Sequence, residues 1–305
     1  MNAQNILEQM TIVSLNISTW NGRKTLKDKD LTAIGIRVKM LPADTVASLG
    51  SKRIISRKLL KLFSVSKRTA IEVCRNNGIR IGGEVYAIPR ERADEVCNEL
   101  MLLKEAFNTE KERLLSASGE EVESWITSKL PAWKPLIDVL HPDNLIRKAI
   151  SFNYAAFDVN ASAGMGEESH DEVSSNLYGQ LCHEIRVTTR AAFDNSFVGK
   201  QGISWKTLRP IKAIRAKLEG LAFLHPSIAE TIQLIDDTMD KLPKKGIIKG
   251  TDLNMVAGLV GRQLANMGNV TVHSIEGDED EEAVEEDVTT TADSTGKVAP
   301  ISWDF

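Results

Sequence analysis

The chain has 305 residues, 42% of them hydrophobic, 26% charged and 5% aromatic, and a net charge of −4. There is ample apolar material for a core, and no run reaches the roughly 18 residues that a membrane-spanning helix needs. Sparse aromatics disfavour an all-β sandwich. Three scattered cysteines, Cys74, Cys97 and Cys182, argue for a reducing compartment rather than a disulfide scaffold. The first residues lack the basic start and apolar stretch of a secretory signal, so the expected location is the cytoplasm, away from membranes.

In chain order, Ile12, Val13, Leu15 and Ile17 come close to alternating with polar residues, which predicts a half-buried strand over 11–20. Asn21 and Gly22 mark a turn. A second alternation, Ile34, Ile36, Val38 and Met40, predicts a strand over 31–40, and Pro42 and Gly50 punctuate a short helix. Residues 51–63 read as a basic helix. Arg53, Arg57 and Lys61 lie on one side of it, and Ile55, Leu59, Leu62 and Phe63 on the other. A second helix is predicted from Lys67 to Arg75. Residues 79–89 then read as a β-hairpin around Gly82 and Gly83.

The expected fold is therefore mainly α, with a small basic α+β head at 10–90 and a helical body at 91–270. Everything in the body reads as helical. Val96, Leu100, Leu103, Phe107 and Leu114 follow the spacing of a packing seam. Capping boxes at Ser118–Glu121 and Ser169–Glu172 predict helix starts, and Pro131, Pro135 and Pro142 predict short broken helices between them. Leu208 to Leu221 and Ile228 to Met239 line two more helices. Residues 276–305 form an acidic tail too poor in apolar residues to order itself. Its end, with Trp303, Asp304 and Phe305, has the look of a short partner-docking peptide.

Charge is polarised along the chain. Residues 1–90 hold 16 Lys/Arg against 6 Asp/Glu, and the last 35 residues hold one Lys against 11 acids. Lys52, Arg53, Arg57, Lys58, Lys61, Lys67 and Arg68 lie within 17 residues, next to a hairpin carrying Arg80. Together these eight are the candidate nucleic-acid-binding residues, with the acidic tail as competitor. The plainer alternative is a solvated basic face that meets acidic segments of the same chain.

Chemistry is hard to find. Neither the Gly22-Arg-Lys-Thr stretch nor Gly199-Lys200 has the upstream glycine of a phosphate-binding loop. Cys182, His183 and Glu184 are contiguous, and neighbouring helical side chains diverge by about 100°. Ser169, His170 and Asp171 are explained by helix capping rather than by a triad. Asp236, Asp237 and Asp240 lie near lysines on one helix, the pattern of a paired, solvated face. No catalytic, metal or cofactor residues are expected, and the chain is read as a non-enzyme.

Trp20-Asn-Gly-Arg-Lys-Thr-Leu26, Leu49-Gly-Ser-Lys52 and Gly78-Ile-Arg-Ile-Gly-Gly83 leading to Pro89 occur in order. With Leu208-Arg-Pro210 and the stretch from Lys217 to Leu224, they resemble the bacterial family catalogued as domain of unknown function 3150, over about residues 10–265. No activity is established for that family. The resemblance implies a context on mobile elements or phages, near a MoxR-type AAA+ ATPase and a von Willebrand factor A protein. On that basis the expected function is an adaptor or client of those partners, and the alternative is nucleic-acid binding through the head.

Overall fold

The first strand, β1 (Met10–Ser18), is the spine of a four-stranded sheet because its two faces are both used. Val13, Leu15 and Ile17 point to one core and Met10 and Ile12 to another, the period-two alternation of a pleated strand. The sheet order is β4-β5-β1-β6, with β4 at Ile79–Gly82, β5 at Val85–Pro89 and β6 at Ser151–Asp158. All neighbouring pairs are antiparallel. The computed structural model describes residues 6, 8–36, 49–129, 143–159 and 167–268, all within the unit Met1–Val270.

One face of the sheet is covered by α2 (Arg57–Asn77) and α3 (Arg90–Lys129). Phe63, Phe107 and Phe152 stack edge to face through this layer, with ring centroids 4.8 and 5.4 Å apart. The seam residues Val96, Leu100, Phe107 and Leu114 are all buried, as their spacing predicts. The other face meets α5 (Glu167–Ser196), α6 (Arg209–Gly220), α7 (Pro226–Asp240) and α8 (Thr251–Gly258). A short α4 (Asp143–Ala149) leads into β6. Two small ribbons complete the described strands: β2 (Arg23–Thr25) with β3 (Ser51–Arg53), and β7 (Gly202–Ser204) with β8 (Ile247–Lys249).

A mainly helical protein with an N-terminal strand and hairpin region is what the sequence predicts, but several elements differ. Residues 31–40 do not begin as a strand: Asp28–Ala33 is a helix, α1, and only Leu31 of its apolar residues is buried. Asp30 stabilises α1 by accepting the Lys27 backbone N–H at 2.9 Å, and Ile36 is left exposed.

The basic helix expected over 51–63 begins as a strand and becomes helical only at Arg57. Residues 51–53 pair with β2, and Ser56 caps α2 by accepting Lys58 N–H at 3.3 Å. The two helices predicted over 51–75 are otherwise one, unbroken from Arg57 to Asn77.

α3 runs through the expected restart at Ser118, since one glycine among good helix formers costs only about 1 kcal/mol. α5 starts two residues before Ser169. The expectation that everything beyond 90 is helical misses the β7–β8 ribbon and, in the main sheet, β6, whose eight residues pair with β1 from Thr11↔Asp158 to Ser18↔Ser151. Aromatic Phe152 and Tyr154 reach the core from alternate positions of that strand, so the head and the body share one sheet.

The predicted helix over 42–50 falls largely, and the prolines at 131, 135 and 142 entirely, outside the described residues. So does the tail with Trp303, Asp304 and Phe305.

Candidate nucleic-acid interface

The β2–β3 ribbon is built on the Asn21–Gly22 turn. Gly22 has φ +75° and its carbonyl accepts Ile54 N–H at 2.9 Å. A Cβ there would lie 2.7 Å from Ile55 Cγ2 and 2.9 Å from Leu60 Cδ1, so the position needs glycine twice over. The turn side chain also takes part: Asn21 Oδ1 accepts Arg23 N–H at 3.0 Å, and Trp20 Nε1 donates to the Arg23 carbonyl at 3.0 Å.

In the register this produces, Arg23 lies opposite Arg53 and Lys24 opposite Lys52. Both pairs carry like charge, which destabilises an antiparallel ladder. The two pairs are resolved differently. Lys52 is buried and bonds Asp30 at 2.7 Å. Burial alone would raise the Asp30 carboxyl, but the bonds from Lys52 and from Lys27 N–H hold it below its ordinary value.

Arg53 turns to the backbone instead and donates to the Asn21 carbonyl at 3.0 Å. Partial burial, then the charges of Arg23 and Arg57, push its guanidinium below its usual value. Arg57 and Lys58 then open α2, whose first turn contains no acid. Cations at the positive end of a helix dipole cost about 0.3–1 kcal/mol each at low salt.

Arg57, Lys61 and Arg68 continue from the ribbon as an exposed stripe, at four- and seven-residue intervals along one face of α2. Lys58 is exposed on a neighbouring face. Lys67 is bonded to Glu84 at 2.8 Å and is half-buried. Arg80 sits past the other end of the 21-residue α2, about 30 Å from Arg57 along its axis. Its Nε donates to the Gly83 carbonyl at 2.6 Å. Of the eight residues singled out in the sequence, the structure therefore brings Arg53, Arg57, Lys58, Lys61 and Arg68 into one run at the surface, with Arg53 half-buried and the other four exposed. Lys52 and Lys67 are committed to carboxylates, and Arg80 is elsewhere. Sequence reasoning missed Arg23, Lys24, Lys27 and Lys29, all exposed at the same ribbon. The signal available was four cations in seven residues, but only strand pairing shows that they meet β3.

The other clusters resolve as structure. Cys182 is buried and His183 exposed, while Glu184 bonds Lys217. Asp236 takes two bonds from Arg215, at 2.9 and 2.8 Å, joining α6 to α7. His225 Nδ1 accepts Ser227 N–H at 3.2 Å and caps α7. Ser227 Oγ lies 2.7 Å from that same nitrogen and 2.6 Å from Tyr178 OH. Among the described residues no group of three or more His, Cys, Asp or Glu side chains could hold a metal, and no helix is long and apolar enough to cross a membrane.

Comparison with known families places these elements in one context. The family described as "Protein of unknown function (DUF3150)" matches residues 7–264, from just before β1 to the last helical turn. The chain belongs to the DUF3150 family. The match covers the ribbon, the α2 stripe and nearly all of both cores, and the family is described as of unknown function. No curated protein and no solved structure matches the chain.

Proposed function

We propose that this DUF3150 chain is a non-enzymatic binding protein. It grips the phosphate backbone of nucleic acid through the β2–β3 ribbon and the exposed stripe of α2. The observation that carries the reading is the Arg23↔Arg53 cross-strand pair with Arg57 beside it. Three like charges crowd together in the free protein, an arrangement that a row of phosphates relieves. Arg57, Lys61 and Arg68 extend the row along a helix that carries a single acid, Glu72. These are backbone-type contacts and carry no sequence-specific readout.

The test is a salt series of fluorescence anisotropy with a labelled duplex. Five contacts, from Arg23, Arg53, Arg57, Lys61 and Arg68, give a log K against log salt slope of about −4.5. Replacing Arg57, Lys61 and Arg68 with Gln reduces it to about −1.8. Absence of binding at about 50 mM salt, or a slope unmoved by the triple variant, defeats the reading.

A second reading, an adaptor or client of a MoxR-type AAA+ ATPase and a von Willebrand factor A protein, rests on the family resemblance and its expected gene context. Met101 and Leu102, 45% and 61% exposed on α3, support a protein-binding surface. Co-purification of either candidate from the native host tests it, with Met101→Ser and Leu102→Ser expected to weaken capture. Failure to recover either one when both are expressed rules it out.

A further inference from the structure

Beside the ribbon lies a small hollow of about 50 Å³, open to solvent and lined by Lys24, Thr25, Lys27, Lys29, Asp30 and Lys52. Its lining residues include four lysines and one aspartate. That carboxylate is already engaged: Asp30 Oδ1 takes Lys52 Nζ at 2.7 Å and Oδ2 takes Lys27 N–H at 2.9 Å. The Asp30–Lys52 pair is almost wholly out of solvent, with 7% and 5% of its side chains exposed, and forms a fixed floor. Lys24, Lys27 and Lys29 stand exposed around it, and with four lysines against one aspartate, whose charge also reaches Lys29, the lining carries a net charge of +3. Thr25 also lines the hollow.

The geometry points to a binding site for a terminal phosphate, the phosphomonoester at the end of a nucleic-acid strand. This deepens the proposed nucleic-acid reading and rests on it. A net +3 in the lining matches a group carrying close to two negative charges better than a phosphodiester carrying one. A recess also favours an end over a middle. A phosphodiester has chain on both sides and lies across so small a hollow, whereas a terminal phosphate enters it with three oxygens available to the lysines. The arrangement is not a glycine-rich phosphate loop. The donors are side chains on a ribbon and a short helix, so the Gly22-Arg-Lys-Thr stretch takes part through strand pairing rather than through a loop motif.

The experiment compares two single-stranded oligonucleotides of one sequence, 3′-labelled, one with a 5′-phosphate and one with a 5′-hydroxyl. Each is titrated against the full chain at fixed salt. The 5′-phosphorylated strand is expected to bind about tenfold more tightly, the effect of one additional charge-assisted contact set. In Lys24→Gln/Lys27→Gln/Lys29→Gln that ratio falls to about one. In Arg57→Gln/Lys61→Gln/Arg68→Gln both strands weaken and the ratio is kept. Competition with pyrophosphate distinguishes an end-phosphate site from general phosphate affinity. Selective displacement of the 5′-phosphorylated strand supports the site, and equal displacement of both overturns it. Equal binding of the two strands by the unaltered chain overturns the end-phosphate proposal and leaves the ribbon-and-stripe reading standing. Failure of either strand to bind at low salt sinks both.

Discussion

Lys217 on α6 is the most consequential single side chain away from the ribbon. Its Nζ bonds Glu184 Oε2 on α5 at 2.6 Å and the Arg75 carbonyl near the end of α2 at 2.7 Å. Glu184 in turn accepts the Arg80 backbone N–H at 3.0 Å, so this one pair ties two helices of one core to α2 and β4. The side chains are 9% and 15% exposed. Replacing Lys217 with Met keeps the stem volume but removes the cation that Glu184 bonds. The expected loss is about 3–5 kcal/mol, roughly 10 °C in Tm for a unit of this size. Replacing the pair together, Lys217→Met with Glu184→Leu, removes both charges and is expected to return to within about 1 kcal/mol of the parent.

The ionisation of Lys217 points the same way. Burial, opposed by Glu184, sets its pKa below the usual lysine value of 10.5. Charging it therefore costs stability at neutral pH, and the cost is lifted as pH rises through the folded value toward 10.5. Urea melts of parent, single and double variants at about pH 8 and about pH 10 test this. A single variant that loses less than about 1 kcal/mol, or a double variant as unstable as the single, refutes the coupling.

Three further outcomes are expected. Arg23→Gln removes the repulsion across the ribbon and should raise stability by about 0.5 kcal/mol, while reducing the polyanion salt slope by about 0.9. A fall in both stability and affinity would show that Arg23 is structural. Gly22→Ala forces a left-handed backbone onto alanine and a Cβ against Ile55 and Leu60, with an expected cost of at least about 2 kcal/mol and loss of ribbon-dependent binding. Parent-like melting and binding would refute the role of the turn. For the thiols, burial pushes Cys74 up to about 12, with the neighbouring Cys97 adding to the rise, and burial also raises Cys97 and Cys182. At about pH 8 the folded chain should label slowly, the half-buried Cys97 first, and all three quickly in urea. Rapid labelling of folded Cys74 would contradict its burial.

What was legible in the sequence is what local patterning decides. The β1 alternation, the Gly83 hairpin and the α3 seam are each set by residues within a few turns of one another. Partnering across long separations is not encoded in that way. β6 contains no turn signal and a weak alternation, and it is a strand because β1, more than a hundred residues earlier, offers a free edge. The candidate site shows the same division. Arg57, Lys61 and Arg68 form a stripe by helical spacing alone, so the sequence is enough to find them. Arg53 shares their four-residue interval, yet it reaches the site by a different route, as the cross-strand neighbour of Arg23. That pairing is also why Lys52, identical in type to the exposed Lys58 and Lys61, drops out of the surface: its side chain alternates to the opposite face of the ribbon and meets Asp30. Composition alone cannot separate a buried lysine from an exposed one in a run of cations. The ribbon register separates them, and in doing so it turns a basic stretch into a surface row of cations beside a lysine-lined hollow.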